Sequence, residues 1–117
     1  MNRFQKLVAD AKTRIKQIQL SELKEELGKP NTLLIDVREA EDFKEGHARG
    51  AKHLSRGAIE TEIEDVAPDL ETPIICYCGG GSRSALVTES LGKMGYKNVR
   101  SLEGGFRGYK AAGLPVE

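Results

Sequence analysis

The chain has 117 residues and carries 18 Lys and Arg against 18 Asp and Glu, so its net charge is zero. This length fits one domain with its own hydrophobic core, and the balanced charge gives no reason to expect nucleic acid or an anionic membrane as a partner. No apolar run approaches the ~18 residues of a membrane span, and Lys6 and Asp10 interrupt the region where a signal peptide would be apolar.

Residues 1–18 carry apolar side chains at helical spacing, with charged and polar residues between them. The stripe consists of Phe4, Leu7, Val8, Ala11, Ile15 and Ile18. We interpret the segment as an N-terminal amphipathic helix that packs on a domain formed by residues 19–117. The alternative is a contact with a second copy, giving a homodimer, or with a partner protein. Membrane attachment is disfavoured because the polar face mixes both signs of charge.

From residue 19 onwards, short apolar runs alternate with helical segments. Ser21 is a suitable N-cap for a first helix, and Gly28 and Pro30 end it. The predicted helices are residues 22–27, 39–44, 58–66, 82–94 and 106–112. The predicted strands are residues 32–37, 51–54, 73–77 and 98–102. Apolar strands that alternate with helices predict an α/β fold whose parallel sheet is covered on both faces.

The only two cysteines are Cys76 and Cys78. They are too close in sequence for an ordinary structural disulfide, because the closed loop would be strained and would constrain little of the unfolded chain. We therefore expect reduced thiols and a cytoplasmic protein. Cys76 is expected to be buried within its strand, and a redox role towards Cys78 is the less favoured alternative.

A flexible loop follows the strand at residues 73–77, in the sequence Cys-Gly-Gly-Gly-Ser-Arg. Ligands of parallel sheets bind beyond the carboxyl ends of the strands, where Cys78 lies. The glycines allow the peptide N–H groups of residues 79–83 to turn inward, and with the start of the next helix they form an anion cradle. The same field favours thiolate, so Cys78 is predicted to be a nucleophile of lowered pKa. Arg83 adds a cation for an anionic substrate.

Four residues separate Cys78 from Arg83. This loop resembles the active-site loop of the rhodanese family, the sulfurtransferases, in which Cys-x4-Arg closes a ring around one sulfur atom. Related phosphatases and arsenate reductases have one more intervening residue and a wider ring. Cys76 does not restore their spacing, since six residues separate it from Arg83.

Two further segments resemble the same family. The sequence LLIDVREAEDFKEGHARGAKHL (residues 33–54) is similar to its first signature, and LEGGFRGYKAAGLPVE (residues 102–117) is similar to its C-terminal signature. The chain departs from the family at Ala48-Arg49, where Ile-Pro is usual, and at Tyr109, where Trp is usual. We expect Arg49 to add a charge near the mouth of the site.

The resemblance implies a rhodanese-like fold with a central parallel sheet of about five strands, helices on both faces and the N-terminal helix as an addition. It also implies a thiosulfate sulfurtransferase-like enzyme without organic cofactor or metal. Sulfane sulfur would pass from thiosulfate, a persulfide or a polysulfide to Cys78, and from its persulfide to cyanide in an assay, or to a thiol or a sulfur-accepting protein in the cell. The implied catalytic residue is Cys78, and the implied sulfur-binding loop is Gly79, Gly80, Gly81, Ser82, Arg83 and Ser84.

The alternative hypothesis is a sulfur carrier or docking module without catalysis. The intact Cys78 and Arg83 argue for catalysis. No Lys and no second Arg lies between them, so we expect dianionic thiosulfate to bind weakly. Persulfides and polysulfides therefore remain open as donors.

Three residues of the first signature are supporting candidates. Asp36 and Arg38 lie at the end of a strand near the same sheet edge, and we interpret them as an ion pair that ties loops together, with orientation of the active loop as the alternative. His47 is expected to be a hydrogen-bonding turn residue and not a base, because a thiolate of low pKa needs none. A zinc site from His47, His53 and the two cysteines is disfavoured by the tight Cys-x-Cys spacing.

Overall fold

A five-stranded, entirely parallel sheet forms the centre of the computed structural model, which describes all 117 residues. The strands are β1 (Lys16–Ile18), β2 (Leu33–Asp36), β3 (Lys52–His53), β4 (Ile74–Tyr77) and β5 (Val99–Leu102). The helices are α1 (Arg3–Lys12), α2 (Leu20–Leu27), α3 (Ala40–Glu45), α4 (Ile59–Val66), α5 (Ser82–Lys93) and α6 (Gly105–Ala111). The spatial order β1-β5-β4-β2-β3 places β4 in the middle. The predicted α/β class and parallel sheet are confirmed.

Two apolar cores lie on opposite faces of the sheet, because successive strand residues point to opposite sides. One core contains Ile35, Cys76 and Cys78 together with residues of α4 and α5. The other contains Leu34, Ile75 and Tyr77 together with residues of α2 and α6. The alternation along β4 thus places both cysteines on the α5 side of the sheet. No helix combines the length and the apolar character needed to cross a membrane.

The N-terminal segment differs from its prediction. α1 ends at Lys12, and residues 16–18 form the edge strand β1, which pairs with β5 and sets Ile18 beside Leu102. The helix predicted over residues 1–18 is therefore wrong at its end, because Ile18 fits the helical stripe and equally fits an inward position of a strand. Val8 and Ala11 are buried and α1 packs against α5, as expected, while Phe4 and Leu7 are largely exposed.

The N-cap of α2 is Gln19 and not Ser21. The helix starts two residues earlier than predicted, at Leu20, and the backbone N–H of Gln19 donates to the Glu22 carboxylate over 3.1 Å. This contact is the Glu half of a capping box, whereas the Gln19 side chain donates to Glu103 instead. Ser21 lies inside the first turn.

Candidate active site

Cys78 follows the central strand β4 directly and is only 1% exposed. The loop from Gly79 to Gly81 then leads into α5, whose N-cap is Gly81. Gly81 has φ +100°, a conformation that side chains of L-residues rarely adopt. The strand thus delivers the thiol to the start of α5, and the predicted strand–loop–helix arrangement is confirmed.

The sulfur atom of Cys78 is surrounded by hydrogen-bond donors. The N–H groups of Gly81 and Ser84 donate to Sγ over 3.1 and 3.4 Å, and the Ser84 hydroxyl lies 3.5 Å from it. Ser84 Oγ is also 2.8 Å from Ser101 Oγ on β5, and both serines are fully buried. Either serine hydroxyl of this pair can donate to the other, and donation from Ser101 leaves the Ser84 hydroxyl proton for a thiolate at Cys78.

The first turn of α6 lies directly against the loop and helps to orient the peptide groups of the loop. The N–H groups of Phe106 and Arg107 donate to the carbonyl oxygens of Cys78 and Gly79 over 2.8 and 3.1 Å. Because a peptide group is planar, these outward carbonyls direct the following N–H groups, those of Gly79 and Gly80, to the opposite side, towards the cradle. The cradle is therefore held from outside by α6 as well as by its own glycines.

Glycine is required at position 105 for this approach. A Cβ there would lie 2.6 Å from the Cys78 carbonyl oxygen and 2.7 Å from that of Gly79, and the residue has φ +56°. Both the contact and the backbone angle exclude a larger side chain without displacement. From the sequence, Glu103, Gly104 and Gly105 are expected to line the mouth of the site or to make the turn into the last helix; the contact of Gly105 with the loop carbonyls is visible only in the structure.

The two thiols have opposite electrostatic surroundings. Burial raises the pKa of the Cys78 thiol, but hydrogen bonds from the Ser84 hydroxyl and from the Ser84, Gly81 and Gly80 amides outweigh it, so the net pKa lies below its ordinary value. Complete burial raises the pKa of Cys76 to about 12. Cys78 is thus suited to react as a thiolate, whereas Cys76 is a buried neutral thiol within β4, as predicted.

A cleft of ≈ 470 Å³ opens beside the loop at Gly79. Its charged lining residues are Arg38, Asp42, Glu45, Arg107 and Lys110. Arg107 and Lys110 belong to α6, which is distant from the loop in sequence and close to it in space. Neither residue was identified from the sequence, and nor was Ser101, because their relation to Cys78 depends on how β4, β5 and α6 pack together.

Of the predicted loop residues, Gly80, Gly81 and Ser84 interact with the sulfur, whereas the rest surround it. Gly79 lines the cleft, and Ser82 is the first residue of α5 and makes no hydrogen bond to Sγ through its side chain. Arg83 lies next to the loop, because a Cβ on Gly79 would be 3.7 Å from its Nη2. Its guanidinium forms no ion pair within the chain.

Asp36 and Arg38 form the buried ion pair that the sequence predicted. The Arg38 Nη2 atom is 2.8 Å from the Asp36 carboxylate and donates to the Gly46 carbonyl over 2.7 Å, and the Tyr77 hydroxyl donates to the same carboxylate. Desolvation by burial lowers the pKa of Arg38, but the Asp36 carboxylate outweighs it, so Arg38 remains charged. The Arg38 guanidinium also lies 4.3 Å from the centre of the Phe106 ring, so the pair supports the start of α6.

His47 is a structural turn residue, as expected. Its Nδ1 is 2.8 Å from the Phe43 carbonyl oxygen, and its ring stacks on Phe43 at 3.7 Å. Its backbone exchanges two hydrogen bonds with Glu117, near the C-terminus. None of these contacts reaches Cys78, so the geometry gives no support to a catalytic base.

The two departures from the family pattern meet at the C-terminal segment. The Arg49 N–H donates to the Pro115 carbonyl oxygen over 3.1 Å, a bond that proline could not make. The Tyr109 hydroxyl donates to the same oxygen. The Arg49 side chain lines a separate groove between α2 and α6, so the expectation that it adds a charge at the mouth of the site is wrong.

This chain is similar to known proteins in both sequence and structure. The family described as "Rhodanese-like domain" matches residues 19–112. A thiosulfate sulfurtransferase GlpE of Actinobacillus succinogenes is 41% identical over 74% of this chain and 77% of its own length. A protein of the same name from Haemophilus influenzae is 37% identical over 79% and 86%. The solution structure of a polysulfide-sulfur transferase homodimer from Wolinella succinogenes has 30% identity and a TM-score of 0.84, covering 97% of this chain and 86% of that one.

Proposed function

The chain belongs to the rhodanese-like domain family, and we propose that it is a sulfurtransferase in which Cys78 carries a sulfane sulfur atom as a persulfide. The observation that carries this proposal is the set of hydrogen-bond donors around Cys78 Sγ. These donors lower the pKa of the Cys78 thiol. Relatives named thiosulfate sulfurtransferase and polysulfide-sulfur transferase support the same chemistry.

In the first step, the Cys78 thiolate attacks the outer sulfur of thiosulfate. A bond forms between the two sulfurs, the S–S bond of thiosulfate breaks, and its electron pair leaves with sulfite. Charge balances, since a thiolate and a dianion give a persulfide anion and a dianion. The inward N–H groups of the loop stabilise the terminal sulfur anion, and they are already oriented before the reaction.

In the second step, a nucleophilic acceptor attacks the outer sulfur of the persulfide and takes it, and Cys78 returns to the thiolate. Cyanide as acceptor gives thiocyanate, and a thiolate acceptor gives a new persulfide. A small thiol or a sulfur-accepting protein is the cellular acceptor in this proposal. The half-buried position of Gly79 and the adjacent cleft leave the loop accessible from one side.

The test compares thiocyanate formation from thiosulfate and cyanide by the wild type, Cys78→Ser and Cys76→Ser. We expect no turnover with Cys78→Ser and most of the activity with Cys76→Ser, because only Cys78 has a lowered pKa and it directly precedes Gly79, which lines the cleft. Circular dichroism of both variants checks that they are folded. The proposal would be refuted if a folded Cys76→Ser variant lost activity while Cys78→Ser kept it. A wild type that accepts sulfur but never releases it would favour the carrier hypothesis.

A further inference from the structure

The guanidinium of Arg107 lies over the loop at Gly80. A Cβ built on Gly80 would collide with Arg107 Nη2 and lie 3.2 Å from its Cζ. The backbone of Arg107 is fixed, because its N–H donates to the Gly79 carbonyl oxygen. The side chain itself is exposed and forms neither an ion pair nor a hydrogen bond within the chain. Its charge is therefore available to a ligand at the loop.

The rim of the loop thus carries one guanidinium at each of two consecutive glycines, Arg83 beside Gly79 and Arg107 over Gly80. The opposite wall of the cleft carries the carboxylates of Asp42 and Glu45 on α3. The charge of Arg38, which also lines the cleft, is neutralised by Asp36. An anion that enters the cleft is therefore attracted to the α6 side and repelled from the α3 side.

Sulfur donors differ in the charge that they place at this rim. The cradle closes on the single sulfur atom that is transferred, so the rest of the donor stays outside, against the rim. For thiosulfate this part is the sulfonate group, which becomes sulfite and gains charge as the S–S bond breaks. For a hydropersulfide with an uncharged substituent it is an organic thiol, and loading gives a Cys78 persulfide anion and that thiol.

We propose that Arg107 is the specificity-determining residue for the donor: it binds the sulfite half of thiosulfate and favours it over donors with an uncharged leaving thiol. This inference rests on the proposed function of Cys78. Arg107 supplies from α6 the cation that the loop between Cys78 and Arg83 lacks. A guanidinium suits the part because its donors form a planar fork that matches the oxygens of an oxyanion.

The experiment measures the second-order rate constant for sulfur loading of Cys78 by mass spectrometry, with thiosulfate and with the hydropersulfide of 2-mercaptoethanol. The variants are Arg107→Gln, Arg107→Lys and the control Lys93→Gln. Lys93 is an exposed, unpaired cation in the last turn of α5, so the control makes the same change of charge at the far end of that helix. A charge-assisted hydrogen bond at an exposed site corresponds to roughly a tenfold effect.

We expect Arg107→Gln to load roughly tenfold more slowly from thiosulfate and at the wild-type rate from the hydropersulfide, with partial recovery in Arg107→Lys and no change in Lys93→Gln. Titration calorimetry with sulfite should show weaker binding to Arg107→Gln without any turnover. Equal loading by thiosulfate in Arg107→Gln and wild type, or an equal loss with both donors, would overturn the inference while leaving the Cys78 relay intact. A wild type that loads from neither donor but binds sulfite through Arg107 would contradict the proposed function alone.

Discussion

The backbone N–H of Phe106 donates to the carbonyl oxygen of Cys78 over 2.8 Å. The last helix of the domain is thus bonded to the residue that carries the chemistry, although 27 positions separate the two in sequence. Through this bond, and through the stacking of Arg38 on the Phe106 ring at 4.3 Å, the buried ion pair, α6 and the loop form one connected unit.

Gly105→Ala should disrupt the contact between α6 and the loop. The added Cβ would lie 2.6 Å from the Cys78 carbonyl oxygen at a residue of φ +56°, so we expect a loss of about 2–4 kcal/mol in the free energy of unfolding and a severe loss of sulfur transfer. Urea unfolding and the thiocyanate assay measure the two effects. Gly92→Ala is the control, because Gly92 is an exposed residue of α5 and nothing lies within 4 Å of a Cβ built on it. Similar behaviour of the two variants would contradict the role assigned to Gly105.

Ser84→Ala should raise the pKa of Cys78. The substitution removes the hydroxyl that lies 3.5 Å from Sγ and is one of the groups that lower this pKa. In the wild type the lowered pKa makes Cys78 a thiolate at a lower pH than a free thiol. The rate of its alkylation by iodoacetamide therefore rises at a lower pH. In the variant the rise should move to higher pH. Ser90→Ala on the same helix, whose hydroxyl bonds Glu60, should leave the profile unchanged, and an unshifted Ser84→Ala profile would count against the hydrogen-bond mechanism.

The two cysteines should differ sharply in reactivity. Burial raises the pKa of Cys76 to about 12 and leaves it with no exposed surface, whereas the pKa of Cys78 is lowered. Brief alkylation of the native protein at neutral pH should therefore add one group, at Cys78, and alkylation in urea should add two. Peptide mass spectrometry locates the label. Native labelling at Cys76 in preference to Cys78 would show that the assigned environments are reversed.

Removal of one partner of the buried ion pair should destabilise the fold strongly. Asp36 is fully buried and Arg38 nearly so, and an uncompensated buried charge costs about 3–5 kcal/mol. We expect Arg38→Met to lose that amount in urea unfolding, and the double variant with Asp36→Asn to recover part of it. Lys97→Met is the control, since it breaks the exposed pair with Glu71 and should change stability by about 1 kcal/mol at most. An Arg38→Met variant as stable as the control would refute the structural role of the pair.

Features that depend on neighbouring residues could be predicted from the sequence. The strand, the glycines and the helix start around Cys78 are contiguous, so their spacing predicted the loop and inward N–H groups at residues 79–83. The donor at Gly81 is among these, whereas the donor at Ser84 lies one residue beyond them. The Asp36–Arg38 pair was predictable for the same reason, since only Val37 separates its partners.

Features that depend on packing could not be predicted in this way. Ser101 reaches Ser84 only because β5 lies beside β4, and Arg107 reaches Gly80 only because α6 packs on the loop. The strand β1 was mistaken for helix because three residues give too short a pattern to separate the two periodicities, and its pairing with β5 decides the outcome. Arg49 was misplaced because its position depends on where the C-terminal segment folds back.

The most direct measurement is the intact mass of the wild type and of Cys78→Ser after brief incubation with thiosulfate, and separately with a polysulfide. We predict one added sulfur atom on the wild type, none on the variant, and its removal by cyanide. The absence of added sulfur from both donors, or its presence on Cys78→Ser at the wild-type level, would contradict the persulfide relay through Cys78.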